Sequence, residues 1–387
     1  MKKFIILLLV IFSFTLVGCN KEGGTDDIFI YMYLDHGDAD KNVIELYNPT
    51  NKAIKLDDKY TLNIYSNGEL EPRTVIKLVG ELQPEKFYII ASASNTEIDQ
   101  DIISLKTGLL RYNGDDAIAI HKDKKIVDLM GFIGFATVFG QNTTLVRFRD
   151  ELKAYNDFDG RRYIDYGAKR YDLLNKPAPE IDKKVLNAGP KFDPATLEMP
   201  FSTTEENIKD RKGLGGSIKV TLSRHIDGDT SEFVDKDGNK YYTRYAFIDT
   251  PESSPRVGYH AWGFPASKTC EALLGQATNI YLQSVKGMPL IGPFDRYWGI
   301  IWVDDLMLNF LMVKAGFTEV NKLDLYEDSL YEGIPYLSYL NMAYLRAQEL
   351  NLGTFSKNLD DTYDYDALTL LPGAVYYPDL ESILNND

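Results

Sequence analysis

Short runs of alternating apolar and polar residues dominate the first half of the chain. FIYMYL, VIELYN, YTLNIYS, FYIIAS, DAIAIHK and KIVDLMGF alternate in this way, and turn-forming segments such as NPTN, SNGE and YNGDD separate them. Alternation with a period of two is typical of strands that bury one face. Many short strands separated by turns favour an antiparallel sandwich. The pattern therefore predicts an all-β sandwich over 28–175.

The pattern changes in the second half of the chain. IKVTLS, KYYTRYAFID and NIYLQSV have the pattern of strands, whereas FPASKTCEALLGQA, MLNFLMVKAGF and PYLSYLNMAYLRAQELN have helical spacing. Strands with helices between and after them predict a small α+β barrel over 216–356. Residues 176–215 are rich in Pro, Gly and charge and predict a linker, and 357–387 predict a loosely ordered acidic tail.

The N-terminus has the features of a secretory signal. Lys2 and Lys3 precede the apolar run FIILLLVIFSFTLVG, which is short for a membrane span and ends in LVGC at Cys19. LVGC resembles the lipobox of bacterial lipoproteins, which implies a signal peptide over 1–18, lipid on Cys19 and a tether over 19–27. An uncleaved anchor helix is the alternative. We expect a lipid-anchored protein at the cell membrane that faces the extracellular side.

The charge and the cysteine content limit which ligands and metal sites the chain can have. The formal net charge is −15, and loss of Lys2 and Lys3 with the signal makes it −17. Within 216–356 there are 12 Lys and Arg against 17 Asp and Glu, unlike the basic footprint of most nucleic-acid-binding proteins. Cys270 is the one cysteine besides Cys19. A zinc site built from cysteines and, once Cys19 carries lipid, an intramolecular disulfide are therefore excluded.

Two acidic segments of the second half indicate a cation site. HIDGDTSEF contains Asp227 and Asp229, and RYAFIDTPES contains Arg244, Asp249 and Glu252. Both lie at ends of predicted strands, so two turns can bring their carboxylates together. Hard divalent cations prefer carboxylate and carbonyl oxygens. A plain Asp-Gly turn beside a surface arginine is the alternative, but turn chemistry does not explain the accompanying arginine and glutamate.

The motifs of the second half resemble the thermonuclease (staphylococcal-nuclease-like) family. IDGDT, RYAFIDTPE, GFPASKTCEALL, DRY, LNFLMVKAGF and AYLRAQELNLGTFS occur in that family's order over 217–356. The resemblance implies an OB-fold barrel carrying helices and a Ca²⁺-dependent phosphodiesterase that cleaves DNA and RNA. It implies that Asp229, Asp249 and the carbonyl of Thr250 bind Ca²⁺. Asp227 would hold metal-bound water.

The resemblance also implies the catalytic residues. Glu252 would activate the attacking water, and Arg244 would pair with the scissile phosphate, which suits a carboxylate base and a guanidinium. The family continues DRY with Gly-Arg, where this chain has Trp298 and Gly299. The second phosphate-binding arginine of the family is therefore absent from that position. Arg296 and Arg256 are nearby cations, and spacing alone does not assign either to the phosphate.

The first half resembles the lamin-tail domain. NVIELYNPTNKAIKL (42–56), YNGDDAIAIHKDKKIVDLMGF (112–132) and NTTLVRF (142–148) carry this resemblance. It implies an immunoglobulin-like sandwich that binds or positions a ligand, whose identity the sequence does not specify. Two hypotheses follow for the whole chain. It is either a surface-anchored nuclease, with DNA or RNA as substrate, or a catalytically inactive lipoprotein that uses both folds as interaction modules.

Overall fold

The computed structural model describes residues 24–177, 181, 183–254, 260–320, 330–356, 363–364, 369–370 and 379–385. The predicted signal peptide, Cys19, Arg256 and most of the predicted tail lie outside this part of the chain. Within it, no helix is both long enough and apolar enough to cross a membrane.

The alternating segments of the first half form strands as predicted. These strands are β1 (Phe29–Leu34), β2 (Val43–Tyr47), β3 (Ile54–Lys55), β4 (Tyr60–Tyr65), β5 (Thr74–Lys77), β6 (Glu81–Leu82), β7 (Phe87–Ser92), β8 (Ile103–Thr107), β9 (Ala117–Lys122), β10 (Lys125–Met130), β11 (Thr144–Arg147) and β12 (Tyr163–Asp165). They build a sheet of order β12-β11-β1-β2-β7-β8 and a sheet of order β10-β9-β4-β5. The pairing is antiparallel except between β7 and β8, which are parallel, so the expectation of a purely antiparallel sandwich was wrong there.

The two sheets share one apolar core. Alternate residues of the larger sheet, such as Ile44 and Ile90, are fully buried against Leu62 and Ile118 of the smaller sheet. This burial removes apolar area from water, which is the main force that holds two sheets together. The pattern of period two therefore predicts the strands but not a single inner face for each one: all six residues of β1 are buried, because its other face packs into the apolar cluster that continues into the barrel half.

A buried ion pair joins the same two sheets. Arg147 of β11 donates from Nη2 to both carboxylate oxygens of Asp128 in β10, at 3.0 Å each. The carboxylate also accepts from the backbone N–H groups of Ile30 and Tyr155, at 2.9 and 2.8 Å. The Arg147 guanidinium lies 4.5 Å from the ring centroid of Tyr163. Burial of these charges is tolerated because the carboxylate is fully hydrogen bonded and the cation rests on aromatic rings.

The second half contains strands and helices in the predicted alternation. The strands are β13 (Ser217–His225), β14 (Thr230–Asp235), β15 (Lys240–Tyr245), β16 (Ile248–Asp249), β17 (Ile280–Ser284), β18 (Tyr297–Val303), β19 (Leu306–Met307), β20 (Glu319–Val320), β21 (Leu330–Tyr331), β22 (Ile334–Pro335), β23 (Tyr363–Asp364) and β24 (Thr369–Leu370). The α-helices of the described residues are α1 (Lys183–Ala188), in the predicted linker, and α2 (Gly263–Gln276), α3 (Leu308–Lys314), α4 (Tyr336–Glu349) and α5 (Leu380–Leu384).

Five of these strands close into a barrel. The hydrogen-bonded order is β15-β14-β13-β17-β18, and a parallel pairing of β15 with β18 completes the ring. The segment KYYTRYAFID does not form the single strand predicted from its pattern. β15 ends at Tyr245, Phe247 adopts a left-handed φ of 69°, and β16 turns away to pair with β20.

The predicted linker packs against the barrel. Leu186 of α1 is 1% exposed, and the Phe192 ring stacks on Tyr281 of β17 with centroids 4.2 Å apart. The sandwich also contacts the barrel half directly, because Asn341 of α4 donates to Asp165 Oδ2 of β12 at 2.8 Å. Buried residues of both halves belong to one continuous apolar cluster. The sandwich is thus part of the support of the barrel.

Glu45 is a buried carboxyl group where the sandwich meets the predicted linker. Its side chain is fully buried, and Oε1 accepts a 2.7 Å hydrogen bond from the backbone N–H of Asn175. Burial raises the pKa of Glu45 to about 8, against the opposing effect of this hydrogen bond. The folded protein therefore keeps a proton on Glu45 at neutral pH, whereas the unfolded chain releases it near a pKa of about 4.3.

We predict that this proton makes the stability of the sandwich depend on pH. Because the folded pKa is raised, the stabilisation is complete below about pH 4.3 and is lost as the pH rises through about 8. Glu45→Gln has no group to titrate here, so between about pH 5 and about pH 8.5 it should gain roughly 2–4 kcal/mol on the wild type. Urea denaturation at both pH values measures this. Glu81→Gln, a change of an exposed residue of β6, is the control, and equal pH dependence in both variants would contradict the prediction.

Candidate functional site

The acidic residues predicted to meet lie in two turns at one end of the barrel. Asp229 immediately precedes β14, and Asp249 is the last residue of β16. Arg244 of β15 pairs across the sheet with Thr230, the residue after Asp229. The backbone N–H of Tyr245 also donates to the carbonyl of Asp229, at 2.8 Å. Strand pairing therefore places the arginine next to the first acidic turn.

Arg244 brings the two aspartates together. Its Nη1 forms an ion pair with Oδ1 of Asp229, and its Nη2 donates to Oδ1 of Asp249. The Arg244 and Asp229 side chains are only 12% and 7% exposed, whereas Asp249 is 58% exposed. Two carboxylates from separate turns thus share one guanidinium, and the outer one remains accessible to solvent.

Thr250 fastens the second turn to the first. Its backbone N–H and its hydroxyl both donate to Oδ2 of Asp229, at 2.6 and 2.8 Å. The turns approach so closely that a Cβ at Gly228 would lie 2.7 Å from the Thr250 hydroxyl oxygen. The expected metal ligand of Thr250, its carbonyl oxygen, takes no part in these bonds. Thr250 contributes here as a donor that positions the Asp229 carboxylate.

Glu252 faces a cleft beside these residues. The cleft has a volume of about 420 Å³ and is lined by Asp249, Thr250, Pro251, Glu252, His260, Thr318 and Thr354. Glu252 is exposed, so its carboxylate is accessible to water and to a substrate in the cleft. Two acids, Asp249 and Glu252, therefore border the cleft, and Arg244 is connected to it through its ion pair with Asp249.

Sequence reasoning missed three residues of this cleft, His260, Thr318 and Thr354. The backbone N–H of His260 donates to the carbonyl of Glu252 at 2.9 Å, and its Nδ1 accepts from the N–H of Trp262 at 3.2 Å. The Thr318 hydroxyl accepts from the backbone N–H of Asp249 at 2.8 Å. No sequence pattern identifies these residues, because they lie outside the two acidic motifs and only folding brings them to the cleft.

Burial and crowding of negative charge raise two acid pKa values at the site. The Asp227 pKa rises to about 6, mainly through burial and then through the charge of Asp229. The Glu252 pKa is also raised, first because neighbouring atoms remove part of the water around its carboxyl group although the residue as a whole is exposed, and then by the charges of Asp229 and Asp249, while Arg244 opposes the shift. A carboxylate with a raised pKa is a better acceptor for a proton from water.

The donor set fits a hard cation only in part. Among the described residues, no three His, Cys, Asp or Glu side chains are grouped closely enough to hold a metal ion. Asp229 and Asp249 supply carboxylate oxygens of the type that Ca²⁺ prefers. Arg244 already balances both charges, so a cation that contacts both carboxylates has to replace the guanidinium at one of them. The chemistry of the donors suits Ca²⁺, and Arg244 is its competitor.

Gly299, at the position of the family's second arginine, faces the barrel interior. It is buried, and a Cβ there would lie 2.3 Å from Leu282 Cδ1 and 2.8 Å from Thr243 Cγ2. An arginine at this position has no route to the cleft while the barrel stays closed. Arg296, three residues earlier, does affect the site, because its charge opposes the raised pKa of Glu252.

A larger cavity lies elsewhere. It has a volume of about 730 Å³ and lies between the sandwich and α4, where Phe139, Tyr163 and Asn341 line it. None of the predicted catalytic or metal-binding residues borders it, so size alone does not locate the chemistry.

No known protein-family model matches the chain, and a search of curated proteins finds no significant match.

We predict opposite effects for two Gly→Ala changes in the barrel half. Gly299→Ala forces a methyl group into Leu282 and should lower the unfolding free energy by about 1–3 kcal/mol. Gly275→Ala, in α2 with no atom within 4 Å of the added Cβ, should raise it by about 0.5–1 kcal/mol through helix propensity. Thermal or urea denaturation measures both. A neutral Gly299→Ala would show that position 299 has room for a side chain.

Proposed function

We propose that the barrel half is a Ca²⁺-dependent nuclease that hydrolyses phosphodiester bonds of DNA or RNA. The observation that carries the proposal is the shared contact of Arg244 with Asp229 and Asp249 beside the cleft of Glu252. A guanidinium, a proton-accepting carboxylate and oxygen donors for a hard cation are the groups that phosphodiester hydrolysis needs. Their convergence supports the roles implied by the thermonuclease resemblance.

The strand order supports the finer fold assignments that go with this proposal. The first barrel strand, β13, pairs with the second, β14, and the fourth, β17. The third strand, β15, pairs with β14 and, in parallel, with the fifth strand, β18. We take this order as support for an OB-fold barrel. The two facing sheets of the first half support an immunoglobulin-like sandwich of the lamin-tail type, which would bind or position a ligand.

Each side chain has a defined task in the proposed reaction. Glu252 accepts a proton from the attacking water, whose oxygen then forms a bond to phosphorus as the ester P–O bond breaks, and the leaving oxygen takes up a proton from solvent water. Arg244 binds the phosphate oxygens and offsets their growing negative charge. Asp229 and Asp249, with Thr250, would hold Ca²⁺, which supplies further stabilisation of that charge. Asp227, in the same turn as Asp229, would orient water at the metal.

The proposed location follows from the N-terminal motif. Lipid on Cys19 would anchor the protein to the cell membrane on its extracellular side, where nucleic acid outside the cell is the substrate. Thr25, which lies within the predicted tether of 19–27, pairs with Ala154 of the sandwich, so the folded part begins inside that segment and the tether is shorter than predicted. The anchored sandwich would then hold the barrel close to the surface, because the two halves share one core.

A second candidate function is a binding module without catalysis. The observation that favours it is Gly299, whose contacts with Leu282 leave no space for the second arginine of the nuclease family. Arg244 is also engaged by two carboxylates, which reduces its availability to phosphate. In this reading the cation site and the cleft persist for ligand binding alone.

Calcium binding is the first test of the proposal. A ligand that binds only the folded state should raise the melting temperature by about 5–10 °C at about 100-fold excess over its Kd. Asp229→Asn with Asp249→Asn should abolish this rise. Asp235→Asn with Asp237→Asn is the matched control, because that acidic turn lies at the other end of β14, and it should leave the rise intact. An unchanged wild-type melting curve would remove the metal from the proposal.

Loss of the base separates the two candidate functions. Glu252→Gln keeps the size of the side chain but cannot accept the proton, and should lower kcat by about 10²–10⁴-fold while the Ca²⁺-induced rise in melting temperature remains. Glu271→Gln, on α2 and paired with Lys268 at 2.7 Å, is the control and should cleave like the wild type. Cleavage of labelled DNA and RNA measures both. Calcium binding without any wild-type cleavage would establish the binding module instead.

A further inference from the structure

A tight turn between β17 and β18 presents an aromatic ring to solvent. Ile291 pairs with Tyr297, and the N–H of Gly292 donates to the carbonyl of Arg296 at 2.7 Å, which closes the turn. Phe294 at its tip is 85% exposed, so at least one face of its ring is open. Its φ of 59° is left-handed, as is the φ of 55° at Asp295. The turn thus holds a phenylalanine in water against the preferences of its backbone and of its side chain.

Arg296 connects this ring to the candidate active site. Its guanidinium carbon lies 5.4 Å from the ring centroid of Phe294, within the range of a cation–π contact. Its Nε donates to the carbonyl of Pro293 at 3.4 Å, which keeps the arginine against the turn. The next residue, Tyr297, pairs with Thr243, which precedes Arg244 in β15. The exposed ring therefore lies beside Arg296, just before the strand that pairs with β15 and its Arg244.

The charge next to the ring also suits a polyanion. Asp295, the neighbour of Phe294, forms an ion pair with Lys209 at 2.7 Å. Its negative charge is therefore balanced at the tip of the turn. A phosphate chain that passes Phe294 meets the Arg296 cation and a neutralised carboxylate, so the tip does not repel it.

We propose that Phe294 stacks against an unpaired nucleobase and thereby selects single-stranded nucleic acid, an inference that rests on the proposed nuclease function. An open aromatic face beside a cation is the surface on which bases of single strands stack. In a duplex each base is stacked on its neighbours and paired with a base of the opposite strand, so its face is not available to a protein ring. The base on Phe294 would be followed by a phosphate at Arg296 and by the scissile phosphate in the cleft.

The test compares single-stranded and duplex binding by the full-length protein. Glu252→Gln serves as the background, because it prevents cleavage during the measurement, and the probes are fluorescent oligothymidylate and a labelled duplex in the presence of Ca²⁺. Adding Phe294→Ala should weaken single-strand binding by about 5- to 100-fold and leave duplex binding unchanged. Phe294→Trp should restore single-strand binding, since any large aromatic ring can stack.

Phe135→Ala is the matched control, because Phe135 is also an exposed phenylalanine, 67% accessible, but lies in the sandwich half. It should leave both affinities unchanged. The stacking proposal would be overturned if Phe294→Ala lost equal affinity for both probes, or lost no affinity for the single strand. The proposed nuclease function would still stand in either case, provided that the protein with Glu252 intact cleaves nucleic acid. No binding and no cleavage by the wild type would overturn both. The affinity of a variant is interpreted only if its melting temperature equals that of the Glu252→Gln background.

Discussion

The barrel closes where β15 meets β18, and the candidate site depends on that closure. The two strands pair in parallel, and Gly299 lets them approach because a side chain there would run into Leu282. The same pairing holds β15 in place, and with it Arg244, which lies opposite Thr230 at the beginning of β14. Asp229 precedes that residue. The close contact of Gly299 with Leu282 inside the barrel thus determines where Arg244 and Asp229 meet at its surface.

Closure by a glycine has a consequence for the chemistry. Position 299 cannot also carry a cation that points into the cleft, so positive charge at the site comes from Arg244 and, through the turn, from Arg296. Arg244 cannot bind both carboxylates and a phosphate with full strength. Release of one carboxylate, Asp249 being the more exposed, is therefore a condition for phosphate binding. Cation and phosphate binding should accordingly favour each other, because each relieves the competition that Arg244 faces.

Local patterns predicted the elements better than their long-range arrangement. Alternation located the sandwich strands, and helical spacing located α2 and α4, because both depend on burial of one face. The meeting of Arg244 with Asp229 and Asp249 also followed from strand ends and charge. The left-handed Phe247, the parallel β7–β8 pair and the approach of His260 did not, because backbone strain and contacts between distant segments leave no period in the sequence. The interior orientation of Gly299 became visible only once the barrel was closed.

The burial of Arg244 and Asp229 bears on which function the barrel serves. Charges removed from water lose solvation that their mutual attraction only partly restores, and apolar residues in such places are often as stable or more stable. Thr250 adds two hydrogen bonds to the same carboxylate, and the nearby Asp227 and Glu252 have raised pKa values. Such a cluster is destabilising for a surface that only needs to pack, and acids with shifted pKa values are concentrated where protons or metal ions are bound. The electrostatics therefore favour the nuclease over the binding module, although the absence of the second arginine argues in the other direction.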